Sequence, residues 1–155
     1  MMEHLRRLAR THFAAAPSTN DDGPDDIAVA AAGLLIEAAR LDGRYDADER
    51  ATVAALVGRR FDLAGPARER VVAQAETLAD ETADHHRFTR VLKDGLDEAE
   101  RIELIEMLWE VVYADGVLHD HEANLLRRVA GLLYVGDRAT GEARKRVLDR
   151  LGLKG

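Results

Sequence analysis

The sequence contains no cysteine, three prolines and few aromatic residues: one Trp, three Tyr and three Phe among 155 residues. Without thiols, disulfide scaffolds, thiolate zinc sites and cysteine nucleophiles are excluded. Most of its small apolar residues are alanines, and β-branched residues are scarce outside a few valines. Because alanine is the strongest helix former and strands favour β-branched and aromatic residues, this composition favours closely packed helices.

The sequence also lacks a long apolar run and a surplus of basic residues. Its longest apolar stretch, Ile27–Ile36, is about half of the roughly 20 residues that cross a bilayer. The first residues, Met1–Pro17, carry charges where a signal peptide has an apolar core. With 22 Lys and Arg against 29 Asp and Glu, the net charge is -7, whereas phosphate binding needs a basic face. We therefore expect a cytoplasmic protein with no transmembrane segment and no nucleic-acid partner.

The chain divides into an N-terminal arm and linker, residues 1–24, and one helical domain, residues 25–155. Pro17 and Pro24 bracket a polar, turn-rich segment that is typical of a linker. In the domain, apolar residues recur at helical spacing, and no window alternates as a half-buried strand does. The expected fold class is all-α.

Capping residues predict where the helices begin and end. Asp25 or Asp26 is expected to cap a first, buried helix that ends at Gly43. Asp97 and Glu100 have the spacing of a capping box. Six further helices are predicted at about residues 47–60, from Pro66 to 78, 85–93, 97–112, 125–132 and 139–151.

The most informative feature is an internal repeat. EAARLDGRYDADERATVAAL (37–56) aligns with EVVYADGVLHDHEANLLRRV (110–129) at a constant offset of 73 residues. The residues identical in both copies are Glu37 and Glu110, Asp42 and Asp115, Gly43 and Gly116, and Glu49 and Glu122. Each copy has the pattern of a helix, a loop opening with Asp-Gly, and a second helix. The repeat therefore predicts two related helix-loop-helix halves.

The Asp-Gly pairs allow two interpretations. Gly43 and Gly116 are ordinary helix stops, since glycine adopts the left-handed conformation that ends a helix. Asp42 and Asp115, in contrast, lie at the negative end of a helix dipole, which costs about 0.3–1 kcal/mol at an exposed site. A divalent cation, the amides of the following helix, or a nearby Arg would compensate for that cost.

The glutamates of the motif also allow two interpretations. Asp46 and Glu49 have capping-box spacing, and Glu122 has the same first-turn position. The first loop also places four carboxylates within eight residues: Asp42, Asp46, Asp48 and Glu49. Hard cations such as Ca²⁺ or Mg²⁺ require several converging oxygens, although the order of residues is not that of an EF-hand. Capping and metal binding both fit.

His119 and His121 distinguish the second loop from the first. Two residues apart on a helix, they would point to different faces and would not share one ion. In a non-helical loop they could join Asp115 and Glu122 around a transition metal. Exposed loop histidines are the alternative.

No catalytic motif is present: the sequence has no G-x-S-x-G, P-loop, dinucleotide fingerprint or H-E-x-x-H. We therefore expect a protein that is not an enzyme. Arg6, Arg7 and Arg10 form a small basic patch on the arm, which offers membrane-surface association as a further alternative.

The two stretches ARLDGRYDADE (39–49) and VYADGVLHDHE (112–122) resemble the TerB family, the tellurite-resistance protein B-like domains. The resemblance covers about residues 26–151. It implies a compact bundle of about seven helices with two related halves, which is not an enzyme and has protein partners, including a membrane-associated stress-response complex. The metal ligands that it implies are Asp42, Glu49, Asp115 and Glu122, with Glu37 and Glu110 in support.

The function implied by this resemblance is resistance to tellurite and other chemical stress, with a divalent metal of unspecified identity as cofactor. The alternative is a purely structural protein-interaction domain in which the Asp-Gly motifs are helix stops and no metal binds. His119 and His121 replace the Asp46 and Asp48 of the first copy, so the two loops need not prefer the same metal. Since thiol chemistry requires cysteine, tellurite is not expected to be a substrate.

Overall fold

The computed structural model describes residues 24–41, 45–81, 86–113 and 120–153, without the side chains of residues 24–26, 86, 120 and 121. These residues form seven helices and no strand, which confirms the expected all-α bundle. The helices are α1 (Pro24–Arg40), α2 (Ala47–Phe61), α3 (Gly65–Glu81), α4 (His86–Gly95), α5 (Glu98–Val112), α6 (Asp120–Leu132) and α7 (Asp137–Leu151).

Two helices begin at the aspartates that the sequence suggests. Asp97 Oδ1 accepts a hydrogen bond from Glu100 N at 2.8 Å, and Glu100 Oε1 accepts one from Asp97 N at 2.9 Å. This reciprocal pair confirms the capping box at the start of α5. At the start of α2, Asp46 Oδ1 accepts from Glu49 N at 3.0 Å.

Two predicted helix starts are wrong by a residue or two. α1 begins at Pro24, so Asp25 and Asp26 lie in its first turn and are not caps; proline suits this position because the first amides of a helix have no partner within it. α3 begins at Gly65, whose φ of 57° favours glycine, and Pro66 is its second residue. α1 ends at Arg40, and the predicted stop at Gly43 lies outside the described residues.

α1 is the central helix of the bundle and packs against α2, α3, α4 and α5. Its side chains from Ile27 to Ile36 are buried, including Leu34, Leu35 and Ile36, which are inaccessible to solvent. A helix that is apolar on all sides can only be stable when other helices surround it. The continuous apolar run in the sequence is therefore the core of the fold. None of the described helices is both long and apolar enough to cross a membrane.

The duplication extends beyond the helix pairs that the repeat predicts. α2 and α6 begin 73 residues apart, and the ends of α1 and α5 keep that offset to within one residue. So do the starts of α3 and α7. In each half the first helix packs most extensively on the third, α1 on α3 and α5 on α7. The structure thus consists of two related three-helix units, α1–α3 and α5–α7, connected by α4.

α1 and α4 approach each other closely at Gly33. A Cβ atom at this position would lie 2.7–2.9 Å from three atoms of the Phe88 ring. Phe88 is itself buried, so its ring would have to move away from α1 and lose its packing there to admit a Cβ atom. Glycine is therefore required here by the contact between two helices.

We expect Gly33→Ala to destabilise the protein. Alanine in place of a helical glycine ordinarily stabilises by about 0.5–1 kcal/mol, but the overlap with Phe88 should produce a net loss of about 1–3 kcal/mol, as overpacking does. The matched control is Gly141→Ala in α7, where an added Cβ meets no atom within 4 Å. Urea unfolding should show the two substitutions acting in opposite directions; stabilisation by both would contradict this account of the α1–α4 contact.

Candidate functional site

The constant offset between the two copies of the repeat places glutamates at equivalent positions on both sides of each hairpin loop. Glu37 lies in the last turn of α1 and Glu110 in the last turn of α5. Glu49 and Glu122 are each the third residue of the following helix, α2 and α6. Each half of the bundle therefore has one glutamate in the helical turn before its loop and one in the turn after it.

The other predicted ligands cannot be placed in the same way. Asp42 and Asp115 lie outside the described residues, as do His119 and the side chain of His121. Among the residues that are described, no group of three or more His, Asp or Glu side chains could hold a metal ion. The metal site at the two loops stays a prediction.

The glutamates at the loop ends are sheltered from solvent to different degrees. Glu122 is 3% exposed, and Glu37 and Glu49 are half-buried, with the Oε1 atom of each inaccessible to solvent. Removing a carboxylate from water costs free energy unless a positive charge or hydrogen-bond donors face it. These side chains therefore do not belong to a freely solvated acidic surface.

Glu110 is held by arginines from both halves of the molecule. Its side chain is 16% exposed; Oε1 accepts a hydrogen bond from Arg150 Nη2 at 2.7 Å, and Oε2 lies 3.7 Å from Arg59 Nη2. Since Arg59 is on α2 and Arg150 on α7, Glu110 links the two three-helix units. In this arrangement both oxygens face guanidinium groups, so the immediate role of Glu110 is in an ion-pair network.

That network continues along α5. Glu106 accepts hydrogen bonds from Arg146 Nε at 2.8 Å and Arg150 Nη1 at 2.9 Å, and Arg60 forms an ion pair with Glu103. Apart from Arg146, these groups line a groove of about 490 Å³ together with Met107 and Leu151. Cationic and anionic side chains pair along this groove, and these ion pairs connect the two halves of the molecule.

A second network fixes both ends of the first loop to α3. Glu76 Oε2 accepts hydrogen bonds from Tyr45 Oη at 2.7 Å and from Arg50 Nε at 2.9 Å. Arg40 donates to Asp80 Oδ1 at 2.7 Å, and its guanidinium lies 5.2 Å from the centre of the Tyr45 ring. Arg40 lies before the loop segment that carries Asp42, and Tyr45 lies after it. Contacts with α3 therefore fix the chain on both sides of this segment.

This network was not predicted, although the sequence contains a signal for it. Glu69, Glu76 and Asp80 are separated by seven and four residues, a spacing that places three carboxylates on one face of α3. Arg50 also pairs with Glu69 at 3.1 Å. An acidic face on one helix and basic residues flanking the motif on two others predict ion pairs between them.

The second hairpin is attached to its third helix by different residues. The positions equivalent to Arg40 and Arg50 are Tyr113 and Ala123. There Arg144 Nε donates to Tyr113 Oη at 2.8 Å, and the Arg144 guanidinium lies 5.8 Å from the centre of the Tyr113 ring. The architecture of the two halves is therefore repeated, whereas the polar contacts that support each loop are not.

Burial raises the pKa of the Tyr45 phenol well above its ordinary value near 10, and the hydrogen bond and negative charge of Glu76 act in the same direction. A phenol whose pKa is raised in the folded state contributes stability that is fully present below about pH 10, which is the pKa of the same phenol in the unfolded chain. That contribution is lost as the pH rises towards the folded-state pKa, because the unfolded chain then releases a proton that the folded chain retains.

We therefore expect the unfolding free energy of the wild type to fall more steeply above pH 10 than that of Tyr45→Phe. Glu76→Gln, which removes the charge but keeps an acceptor, should give an intermediate slope. At pH 7, Tyr45→Phe should cost about 1 kcal/mol, the net value of one hydrogen bond. Denaturant unfolding at pH 7 and at several values above pH 10 provides the measurement. Parallel pH profiles for the wild type and Tyr45→Phe would contradict the assignment.

The fold and the helix turns on either side of the two loop segments define an internally duplicated all-α bundle with a glutamate before and after each segment. The family model described as Tellurite resistance protein TerB matches residues 28–145, from within α1 to within α7. The chain belongs to the TerB family, which confirms the resemblance seen in its two Asp-Gly stretches. No curated protein and no solved structure gave a match to the chain.

Proposed function

We propose that this TerB-family chain is a non-enzymatic module of resistance to tellurite and other chemical stress. In this proposal it binds a divalent metal ion through its Asp-Gly-x5-Glu loops and acts through protein partners. The observation that carries the proposal is the recurrence of one glutamate pair, in the last turn of one helix and the third position of the next, in both halves of the bundle.

The residues that would hold the ion are Asp42 and Glu49 in the first half and Asp115 and Glu122 in the second, with Glu37 and Glu110 in support. Carboxylate oxygens are the ligands that Ca²⁺ and Mg²⁺ prefer. A bound cation would compensate the aspartates that follow α1 and α5 in the sequence, at the negative ends of the helix dipoles. Glu110 would contribute less directly, since its oxygens already face Arg59 and Arg150.

A purely structural interaction domain is the second candidate, and one contact favours it. Asp46 accepts a hydrogen bond from the Glu49 amide at 3.0 Å, so one of the acidic residues in the first loop serves as an N-cap. If the remaining acidic residues also serve only to begin and end helices, no metal would bind. The two candidates differ in their response to cations.

The remaining parts of the proposal concern the cellular setting. We place the chain in the cytoplasm, and we propose that it reaches a membrane-associated stress-response complex by binding a protein in that complex. The absence of a catalytic motif from the sequence supports a binding role.

Saturating divalent metal should raise the melting temperature of the wild type, because a ligand bound by the folded state alone stabilises it. At a hundredfold excess over Kd the gain is about 2.7 kcal/mol, which corresponds to roughly 5–10 °C for a domain of this size. Ca²⁺, Mg²⁺, Mn²⁺ and Zn²⁺ should be titrated separately in a thermal-shift experiment. Asp42→Asn with Asp115→Asn should abolish the gain.

The matched control is Asp94→Asn with Asp149→Asn, which removes the same two charges from exposed helical positions on α4 and α7. This control should respond to metal as the wild type does. If saturating metals leave the melting curves of the wild type and of the Asp42 and Asp115 variant alike, the metal part of the proposal is wrong and the structural candidate replaces it.

A further inference from the structure

A groove of about 360 Å³ lies where α4 meets α1 and α3, apart from both hairpin loops. Its apolar surface includes Phe88 and the half-buried side chains of Leu78 and Val91. Two exposed arginines of α4, Arg87 and Arg90, also line it. We call these five residues the α4 groove. It combines an apolar floor with two cations separated by about one helical turn.

Arg87 and Arg90 differ from the arginines at the interfaces between the helices. Arg40, Arg50, Arg60 and Arg150 all form ion pairs. Neither Arg87 nor Arg90 forms one with any carboxylate of the described residues. In a chain with a net charge of -7, these cations create a local basic patch, which is electrostatically complementary to an acidic partner.

Phe88, at the floor of the α4 groove, is packed tightly against α1. The ring of Phe88 lies against Gly33 so closely that a Cβ atom there would be 2.7 Å away. A groove that is formed before binding does not have to be ordered by its partner, which reduces the entropic cost of association.

We propose that the α4 groove docks an acidic amphipathic helix of a protein partner. Apolar side chains at helical spacing would pack on the half-buried Leu78 and Val91, above the buried Phe88, as in other helix-in-groove complexes. Carboxylates one turn apart on that helix would pair with Arg87 and Arg90. This inference rests on the proposal that the module acts through protein partners, and it identifies the surface and the chemistry of one of them.

Charge disfavours the N-terminal arm as the occupant. The arm has apolar residues, Leu5 and Leu8, but they alternate with Arg6, Arg7 and Arg10, which would repel Arg87 and Arg90. An acidic helix is attracted to both arginines at the groove itself, whereas the net charge of -7 opposes it only at longer range, where salt screens the repulsion.

The test uses the full chain and a fluorescein-labelled peptide of about twelve residues, built from Leu, Ala and Glu with leucines at i, i+3, i+4 and i+7. Fluorescence anisotropy should show saturable binding that weakens as salt is raised, because the rim charges are screened. Arg87→Glu with Arg90→Glu should weaken binding by about tenfold or more, and Arg87→Gln with Arg90→Gln should give an intermediate loss. Circular dichroism would verify that both variants are folded.

The matched control is Arg128→Glu with Lys145→Glu, which makes the same change in net charge at exposed positions on α6 and α7. Its affinity should stay within about twofold of the wild type, since long-range effects of exposed charges are largely screened at physiological salt. Equal loss of affinity in this control would show that net charge alone is responsible and would overturn the proposal.

Three further outcomes would overturn it. The first is equal affinity for a peptide with Lys in place of Glu. The second is peptide binding that appears only in the variant Leu5→Ser with Leu8→Ser, which would show that the arm occupies the groove. The third is a dimer in sedimentation that Arg87→Glu with Arg90→Glu abolishes. The measurements are repeated with and without divalent metal. Since neither Asp42 nor Asp115 is altered, failure of peptide binding and failure of metal binding are observed separately.

Discussion

The burial of α1 is the constraint on which the rest of the structure depends. Leu34, Leu35 and Ile36 are inaccessible to solvent, and complete burial of each such side chain contributes about 1.5–3 kcal/mol. α1 has no polar face to present to water along this segment, so α2, α3, α4 and α5 must surround it. The hairpin loop that follows α1 therefore begins at the end of a helix whose position is fixed by the core.

The second half of the bundle repeats this arrangement around α5, a helix that also carries charged side chains. Charged side chains of α5, such as Glu106 and Glu110, face arginines on α7 and α2. Ion pairs of this kind contribute modestly to stability when they are exposed. The pairs of Glu106 and Glu110 with Arg146 and Arg150 lie within the second unit, whereas the contact of Glu110 with Arg59 reaches the first. The equivalent residue of the first half, Glu37, precedes a loop supported instead by Tyr45, Arg50 and Glu76. Duplication thus preserved the backbone plan while the supporting contacts diverged.

Much of the fold was predictable from the sequence, because helix caps and apolar periodicity are local signals. Asp97 and Glu100 form the capping box that their spacing indicates, and the 73-residue offset recurs in the helix starts. Helix starts at Pro24 and Gly65 were missed by a residue or two, since several neighbouring residues can serve at a helix start. The α3–Tyr45 network and the α4 groove depend on which helices become neighbours in the tertiary structure, and this is not encoded in any single segment. The positions of the glutamates on the helices were predictable from the repeat, whereas the residues that they contact were not.

We propose that the repeated carboxylates at the two hairpin loops bind a divalent cation. Isothermal titration of the full chain with Ca²⁺, Mg²⁺, Mn²⁺ and Zn²⁺ measures this binding. We expect saturable binding of at least one of these ions, weakened by Asp42→Asn and by Asp115→Asn singly and lost when both are changed. Absence of binding by all four ions, or binding that neither substitution alters, would contradict it.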